Sequence, residues 1–271
     1  PCGGALTGHM DPALLELGLA LRVDHAPCSD AIVRFGSFER RVAMAQDVQV
    51  IRRAEFDADL VEQARELGVQ VIEGEGLISY RREGNETVVQ TSKGRELRCS
   101  VLVGADGAAS KVRKQILDNK KAVPHRLFMC EMNLPRPANL SATMTYDFSL
   151  MNEGLRGYLW VFPAPDDRVN VGLMHYPSPK HKLGGRQLTE LLRLGLEDYG
   201  IELPSSGVKG WPVWGYHPKT PISEPGVVTV GDAAGIDGLT GEGIAVALEQ
   251  AIVAGDAIEE ALQSGDFRFS L

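Results

Sequence analysis

The chain has 271 residues, 44% hydrophobic and 24% charged, an ordinary globular balance with enough length for one large or two modest domains. Its net charge of -8 and the lack of any Lys/Arg stripe argue against a nucleic-acid partner. No apolar run is long enough to span a bilayer and no signal peptide is visible; Cys2, Cys28, Cys99 and Cys130 are scattered without a CxxC pair or a His cluster, so a cytoplasmic protein with reduced thiols and no metal site is expected.

In chain order, Pro1-Cys2-Gly3-Gly4 reads as a turn, and Asp11-Pro12 as a helix start with Asp at the cap and Pro in the first turn. Residues 31–35 and 41–45 are candidate strands. Arg53 to Leu67 predicts an amphipathic helix closed at Gly68, followed by a strand over Val69 to Ile72. A hairpin is expected from Gly76 to Arg81 and Thr87 to Thr91. Val101 to Val103 is a buried strand running into Gly104-Ala105-Asp106-Gly107, after which Ser110 caps a helix carrying Lys111 and Arg113.

The middle differs. Arg126 to Asn133, Ala142 to Phe148, Gly157 to Phe162 and Arg168 to His175 read as four strands with no helix between them, which predicts an antiparallel sheet as a separate layer. A helix from Gly185 to Tyr199 closes it. The Pro- and Gly-rich stretch from Pro204 to Pro225 is a connection. Val227 to Val230 is then a second buried strand. It stops at Gly231-Asp232, and after a glycine-rich turn Thr240-Gly241-Glu242-Gly243 opens a helix with Ile244, Ala247, Leu248, Ala251 and Ile252 at helical spacing.

Strand, carboxylate, glycine turn and helix start form an arrangement with a physical logic. The strand end places Asp232 at the carboxyl edge of a sheet, where open α/β sheets bind ligands. Its carboxylate can accept hydrogen bonds from sugar or polyol hydroxyls. The helix start offers unpaired N–H groups and partial positive charge. An ordinary βα connection explains the same residues equally well when either stretch is taken alone. On the strand from Gly157 to Pro163, alternation puts Tyr158, Trp160 and Phe162 on one face, where core packing is the default reading.

Gly231-Asp232-Ala233-Ala234-Gly235 followed by Gly241-Glu242-Gly243-Ile244 resembles the second FAD-binding motif of the geranylgeranyl reductase family, within the p-hydroxybenzoate hydroxylase-like flavoproteins. The segment from Gly104 to Arg113 resembles the Asp-Gly motif of the same group, and Tyr158-x-Trp160-x-Phe162-Pro163 with Asn170-Val171-Gly172 resembles the reductases' substrate domain. Cys2-Gly3-Gly4 is similar to their CGG segment.

The resemblance implies that Asp232 meets the ribityl chain, that Gly231 beside it belongs to the cofactor-binding motif, and that the backbone at Gly241, Glu242, Gly243 and Ile244 faces the flavin N1–C2=O edge. It places Asp106 and Gly107 near the phosphates, Cys2, Gly3 and Gly4 beside the flavin, and Tyr158, Trp160 and Phe162 along the substrate pocket. It implies an α/β fold of mixed type: an incomplete Rossmann-like FAD-binding domain from residues 1–22, 50–118 and 205–271, and an antiparallel-sheet substrate domain from residues 23–49 and 119–204. The family's GxGxxG unit would precede Pro1 and is absent, and Gly238 stands where many relatives have Pro. The chain therefore reads as a piece of a longer protein.

The expected activity is FAD-dependent reduction of C=C bonds in a lipophilic isoprenoid, with NAD(P)H or another reduced carrier as electron donor and no catalytic side chain identified. An aromatic substrate would fit the same wall. A flavin-dependent monooxygenase or halogenase is the alternative enzyme, since halogenases carry GWxWxIP at this spacing. A flavin-free fragment binding an apolar ligand is the alternative outside enzymes. A greasy substrate would bring the protein to a membrane surface, and an open sheet edge would invite a homo-oligomer.

Overall fold

A computed structural model describes residues 2–117, 126–178, 182–236 and 241–269, with the backbone alone for 126–130. Pro1, Gly238 and Thr240 from the sequence reading lie outside the described residues. In chain order the elements are β1 (Ala5–Leu6), α1 (Met10–Glu16), β2 (His25–Phe35), β3 (Phe38–Ile51), α2 (Arg53–Glu66), β4 (Leu77–Glu83), β5 (Glu86–Thr91), β6 (Glu96–Cys99), β7 (Leu102–Gly104) and α3 (Lys111–Ile116). They continue with β8 (Arg126–Pro135), β9 (Met144–Asp147), β10 (Gly157–Ala164), β11 (Arg168–His175), α4 (Gly185–Glu197), β12 (Lys209–Trp214), β13 (Ser223–Glu224), β14 (Val227–Thr229) and α5 (Gly243–Ser264). The mixed α/β class expected from the sequence is what the structure shows.

The chain divides into two compact units. The first comprises Pro1–Pro12, Leu19–Gln63 and Arg126–Val213; the second comprises Ala13–Gly18, Ala64–His125 and Trp214–Leu271. Residues 1–12, 19–22, 50–63 and 205–213, expected with the cofactor part, go with the large sheet.

That sheet has eight strands in the order β1-β3-β2-β9-β10-β11-β8-β12. Its pairings are antiparallel at β2–β3, β9–β10, β10–β11 and β11–β8, and parallel between β2 and β9. Alternation along β10 makes two cores. Leu159 and Val161 point to one face, with Val171 and Leu173 of β11, and are covered there by Leu188, Leu192 and Leu196 of α4. Those three leucines recur every fourth residue, so they form one stripe along the helix. Tyr158, Trp160 and Phe162 occupy the other face with Cys28, Ala31, Val50, Met144 and Met174. Gly172 lies directly opposite Trp160 in the ladder.

In the second unit, β14 pairs in parallel with β7 and antiparallel with β13, while β4, β5 and β6 form a separate antiparallel sheet. Tyr80, Val89, Val112, Ile116 and Val227 make its core. The predicted closure of α2 is present: Gly68 has φ +87°, and the amides of Gly68 and Val69 bond the carbonyls of Arg65 and Ala64 at 2.9 and 3.0 Å.

Several expectations need correction. Val69 to Ile72 is not a strand; it has no ladder partner among the described residues, and Val69 and Ile72 are exposed. The connection from Pro204 to Pro225 contains β12, which joins the large sheet beside β8, and the whole of β13. Asp11 sits inside α1, after Met10, rather than at its cap. No helix among the described residues is long and apolar enough to cross a membrane.

Candidate functional site

The second unit brings both Asp-Gly turns to one edge. The parallel register sets Leu102 opposite Val227, Val103 opposite Val228 and Gly104 opposite Thr229. Both strands therefore end at the same level, and the Val230 amide bonds the Gly104 carbonyl at 3.0 Å. Gly104 is required where it stands, because a Cβ there would lie 2.7 Å from Cβ of Val112.

Asp106 follows at once, and its side chain has a structural task in the turn. Its carboxylate accepts from the Lys111 amide at 2.7 Å, the Val112 amide at 3.3 Å and the Ser110 hydroxyl. Ser110 in turn accepts from the Arg113 amide at 2.8 Å. The Asp106 side chain is thus engaged in starting α3, satisfying amides that have no partner within the helix. Gly107 turns the chain at φ +73° just before it.

After β14, Gly231 to Ala233 form a 3-10 turn, with Gly231 at φ +59° and its amide bonded to Oε1 of Gln250 on α5 at 2.7 Å. Asp232 is half-buried within this turn. α5 starts at Gly243; Glu242 at its cap makes no side-chain capping bond, and Gly241 has φ +84°. Gly243 is held against Ile236, whose Cδ1 would be 3.0 Å from an added Cβ. Ile244 is half-buried in the first turn. The helix start therefore presents backbone N–H groups and positive dipole without a side-chain oxygen of its cap in the way.

Two residues that the sequence reading left without a role tie the turns together. The Arg113 guanidinium, 5% exposed, stacks 4.3 Å from the centroid of the Trp214 ring and reaches the Ala233 carbonyl at 3.5 Å. Trp214 Nε1 donates to the Ala108 carbonyl at 2.6 Å. Beside the exposed flank of β7 lies a cavity of about 250 Å³, with Ile72, Leu77, Leu97 and Val103 as apolar lining and the Gly104-Ala105-Asp106 turn at its wall.

The remaining expected residues lie in the first unit. Tyr158, Trp160 and Phe162 are all buried, within a cluster joined by Tyr146, whose ring is 5.5 Å from Tyr158 and 5.0 Å from Phe162. Trp160 Nε1 donates to Asn170 Oδ1 at 2.7 Å. Asn170 Nδ2 lies 2.9 Å from Glu131 Oε2, 3.1 Å from Asn133 Oδ1 and 3.3 Å from the Cys2 carbonyl. Gly3 packs against this wall, since a Cβ there would lie 2.8 Å from Phe162 Cε2. Gly4, at φ +75°, accepts from the Ile51 amide at 2.9 Å. Packing within the first unit is enough to explain Cys2, Gly3 and Gly4. Glu131, Asn133, Arg113, Trp214 and Gln250 were not foreseen. A weak signal existed for Asn133 and Asn170, since Asn is depleted in strands unless its side chain has a partner.

Comparison with known proteins decides the family. Residues 16–266 match the FAD binding domain family. The chain belongs to this family. Among curated relatives, the digeranylgeranylglycerophospholipid reductase of Methanosarcina mazei is 31% identical over 247 residues, covering 83% of this chain and 58% of that protein. The reductase of the same name from Methanocella arvoryzae is 32% identical over 237 residues, 80% of this chain and 56% of that protein. The chain thus spans a little over half the length of these relatives. A geranylgeranyl bacteriochlorophyll reductase-like protein from Thermoplasma acidophilum shares the fold over 99% of this chain and 70% of that one, at TM-score 0.84 and 22% identity. The flavin-dependent halogenase CmlS does so over 97% of this chain and 52% of that one, at TM-score 0.74 and 21% identity. The likeness to geranylgeranyl reductases read from the sequence is borne out, and FAD is the cofactor the family names.

The residues present fit part of that cofactor. The α5 start can receive an electron-rich edge, and Asp232, half-buried in its turn, can receive hydroxyls.

Proposed function

We propose that the protein is an FAD-dependent oxidoreductase that reduces C=C bonds of a lipophilic isoprenoid. The observation that carries this reading is the parallel register of β7 and β14, which sets the Gly104–Gly107 and Gly231–Asp232 turns side by side below an α5 start with no side-chain cap. The names of the relatives from Methanosarcina mazei and Methanocella arvoryzae support the substrate class.

Bound FAD supplies hydride chemistry. The chain's own residues bind and orient. Asp232 accepts hydrogen bonds from polyol hydroxyls, and the amides from Ile244 onward stabilise negative charge developing at the helix start, the Gly243 amide being bonded to the Gly241 carbonyl at 3.0 Å. Arg113, buried behind the Gly231–Ala233 turn, adds a fixed positive charge there. In the first unit, Tyr146 is the half-buried member of a cluster whose Tyr158, Trp160 and Phe162 are packed in the core behind it, the apolar wall we assign to a polyprenyl chain, and the Trp160–Asn170 bond fixes the indole orientation. NAD(P)H or another reduced carrier provides electrons.

The test is an anaerobic assay of the chain with FAD, a chemical reductant and a geranylgeranyl lipid, followed by mass spectrometry. Gain of two hydrogens per double bond without oxygen supports the reading. Conversion only with oxygen, with hydroxylated or halogenated product, would replace it by the monooxygenase or halogenase reading.

A further inference from the structure

Outside the cofactor turns, the most distinctive surface is the tip of the β2–β3 hairpin. The loop is two residues, Gly36 and Ser37, with Gly36 at φ +58° and Ser37 not in the left-handed region, the pattern of a tight type II′ hairpin turn. The ladder pairs Phe35 with Phe38, Val33 with Arg40 and Ala31 with Val42. Paired residues in an antiparallel ladder share a face, so Ala31, Val33, Phe35, Phe38, Arg40 and Val42 all lie on one side. Ala31 and Met44, on the same alternation, belong to the aromatic core of the first unit.

The stripe therefore begins in the buried cluster around Tyr158 and Trp160 and runs outward. Phe148, 5.6 Å from Tyr158, is joined to the hairpin by its amide bond to the Arg34 carbonyl at 2.8 Å. It ends on side chains in solvent: Phe35 is 46% exposed, Phe38 58% and Val42 43%. Gly36 donates to Ser149 Oγ at 2.8 Å, which steadies the tip against a turn that carries exposed Met151. An exposed aromatic pair on an ordered tip is an expensive surface to leave in water.

Charge says what covers it. The acidic residues of the hairpin tip lie on the opposite face, where Glu39 pairs with Arg34 in register and Asp30 holds Arg41 at 3.0 Å. Arg40 is the one charge on the phenylalanine side of the tip, and it has no ion pair among the described residues. Two aromatics with one unpaired arginine match the boundary between acyl chains and anionic headgroups, where a ring enters the apolar layer and a guanidinium stays at phosphate level.

We propose that the β2–β3 tip docks the protein on an anionic phospholipid surface, with Phe35 and Phe38 inserted and Arg40 at headgroup phosphate. The apolar stripe then leads from that surface to the aromatic face of the first unit. The proposal does not depend on cofactor binding, because every residue it uses belongs to the first unit.

The experiment is co-sedimentation of the purified chain with vesicles of phosphatidylglycerol and phosphatidylcholine, with circular dichroism to verify folding. The wild type should pellet with mixed vesicles, and the F35S/F38S variant should bind at least about tenfold more weakly. Arg40→Glu should weaken binding to phosphatidylglycerol vesicles while leaving binding to pure phosphatidylcholine unchanged. Wild-type protein that stays in the supernatant overturns the proposal, as does F35S/F38S binding equal to wild type. Self-association of the wild type that the same substitutions abolish overturns it too, by making a second copy the occupant.

Discussion

Arg113 and Trp214 form a cation–aromatic stack, the arginine buried and the ring half-buried, with the guanidinium carbon 4.3 Å from the ring centroid. Each partner also reaches a backbone carbonyl in a different Asp-Gly turn: Arg113 reaches Ala233 and Trp214 reaches Ala108. Arg113→Met should destabilise the chain by about 2–4 kcal/mol, because stacking and a charged hydrogen bond are lost from a desolvated site. Trp214→Phe keeps a smaller ring and loses the N–H and the area of the fused ring, so about 1–3 kcal/mol is expected. Urea denaturation of the single and double variants should give a coupling energy of about 1 kcal/mol or more. Strict additivity would mean the stack contributes nothing.

Asn170 bridges Trp160 to Glu131 and Asn133. Asn170→Leu removes the acceptor for a buried indole N–H, so a loss of about 1–3 kcal/mol is expected, with a shift in tryptophan emission. An unchanged urea midpoint and spectrum would show that the network is incidental.

Burial pushes the Cys28 thiol up from 9.0 to about 11. The native state then keeps a proton that the unfolded chain releases, so this component of stability is intact below pH 9.0 and falls as pH rises toward 11. The urea midpoint should drop between pH 8 and pH 10 by more in the wild type than in Cys28→Ala. Alkylation at pH 8 followed by mass spectrometry should find Cys28 protected in the native protein. Rapid native labelling of Cys28 would contradict its placement.

Gly104 sits where β7 turns toward Asp106, and Val112 leaves no room for a side chain. Gly104→Ala should cost about 1–3 kcal/mol and loosen the turn beneath the candidate cofactor site. Native-like stability in this variant would show that α3 can shift without penalty.

How much of this was readable beforehand follows from the range of each signal. The β10 alternation places Tyr158, Trp160 and Phe162 on one face correctly, because period two is local to the strand. The Asp-Gly turns are visible because a β-branched run, a glycine and a helix start are consecutive. The tie between them is not, since Trp214 and Ala108 are 106 positions apart. Asp106 shows what a motif leaves out: residue type and spacing do not tell that its oxygens bond the α3 amides. Val69 to Ile72 shows another, because β-branched residues make a strand only where a neighbour completes the ladder. The hairpin tip was not foreseen as a surface, since exposure of Phe35 and Phe38 depends on which strand ends beside them.

An absorption titration of the purified chain with FAD tests cofactor binding by the second unit most directly. The account predicts a saturable shift and sharpening of the flavin bands, with Asp232→Ala weakening binding by about tenfold or more. A flavin spectrum unchanged at millimolar FAD, with the chain folded, would contradict it.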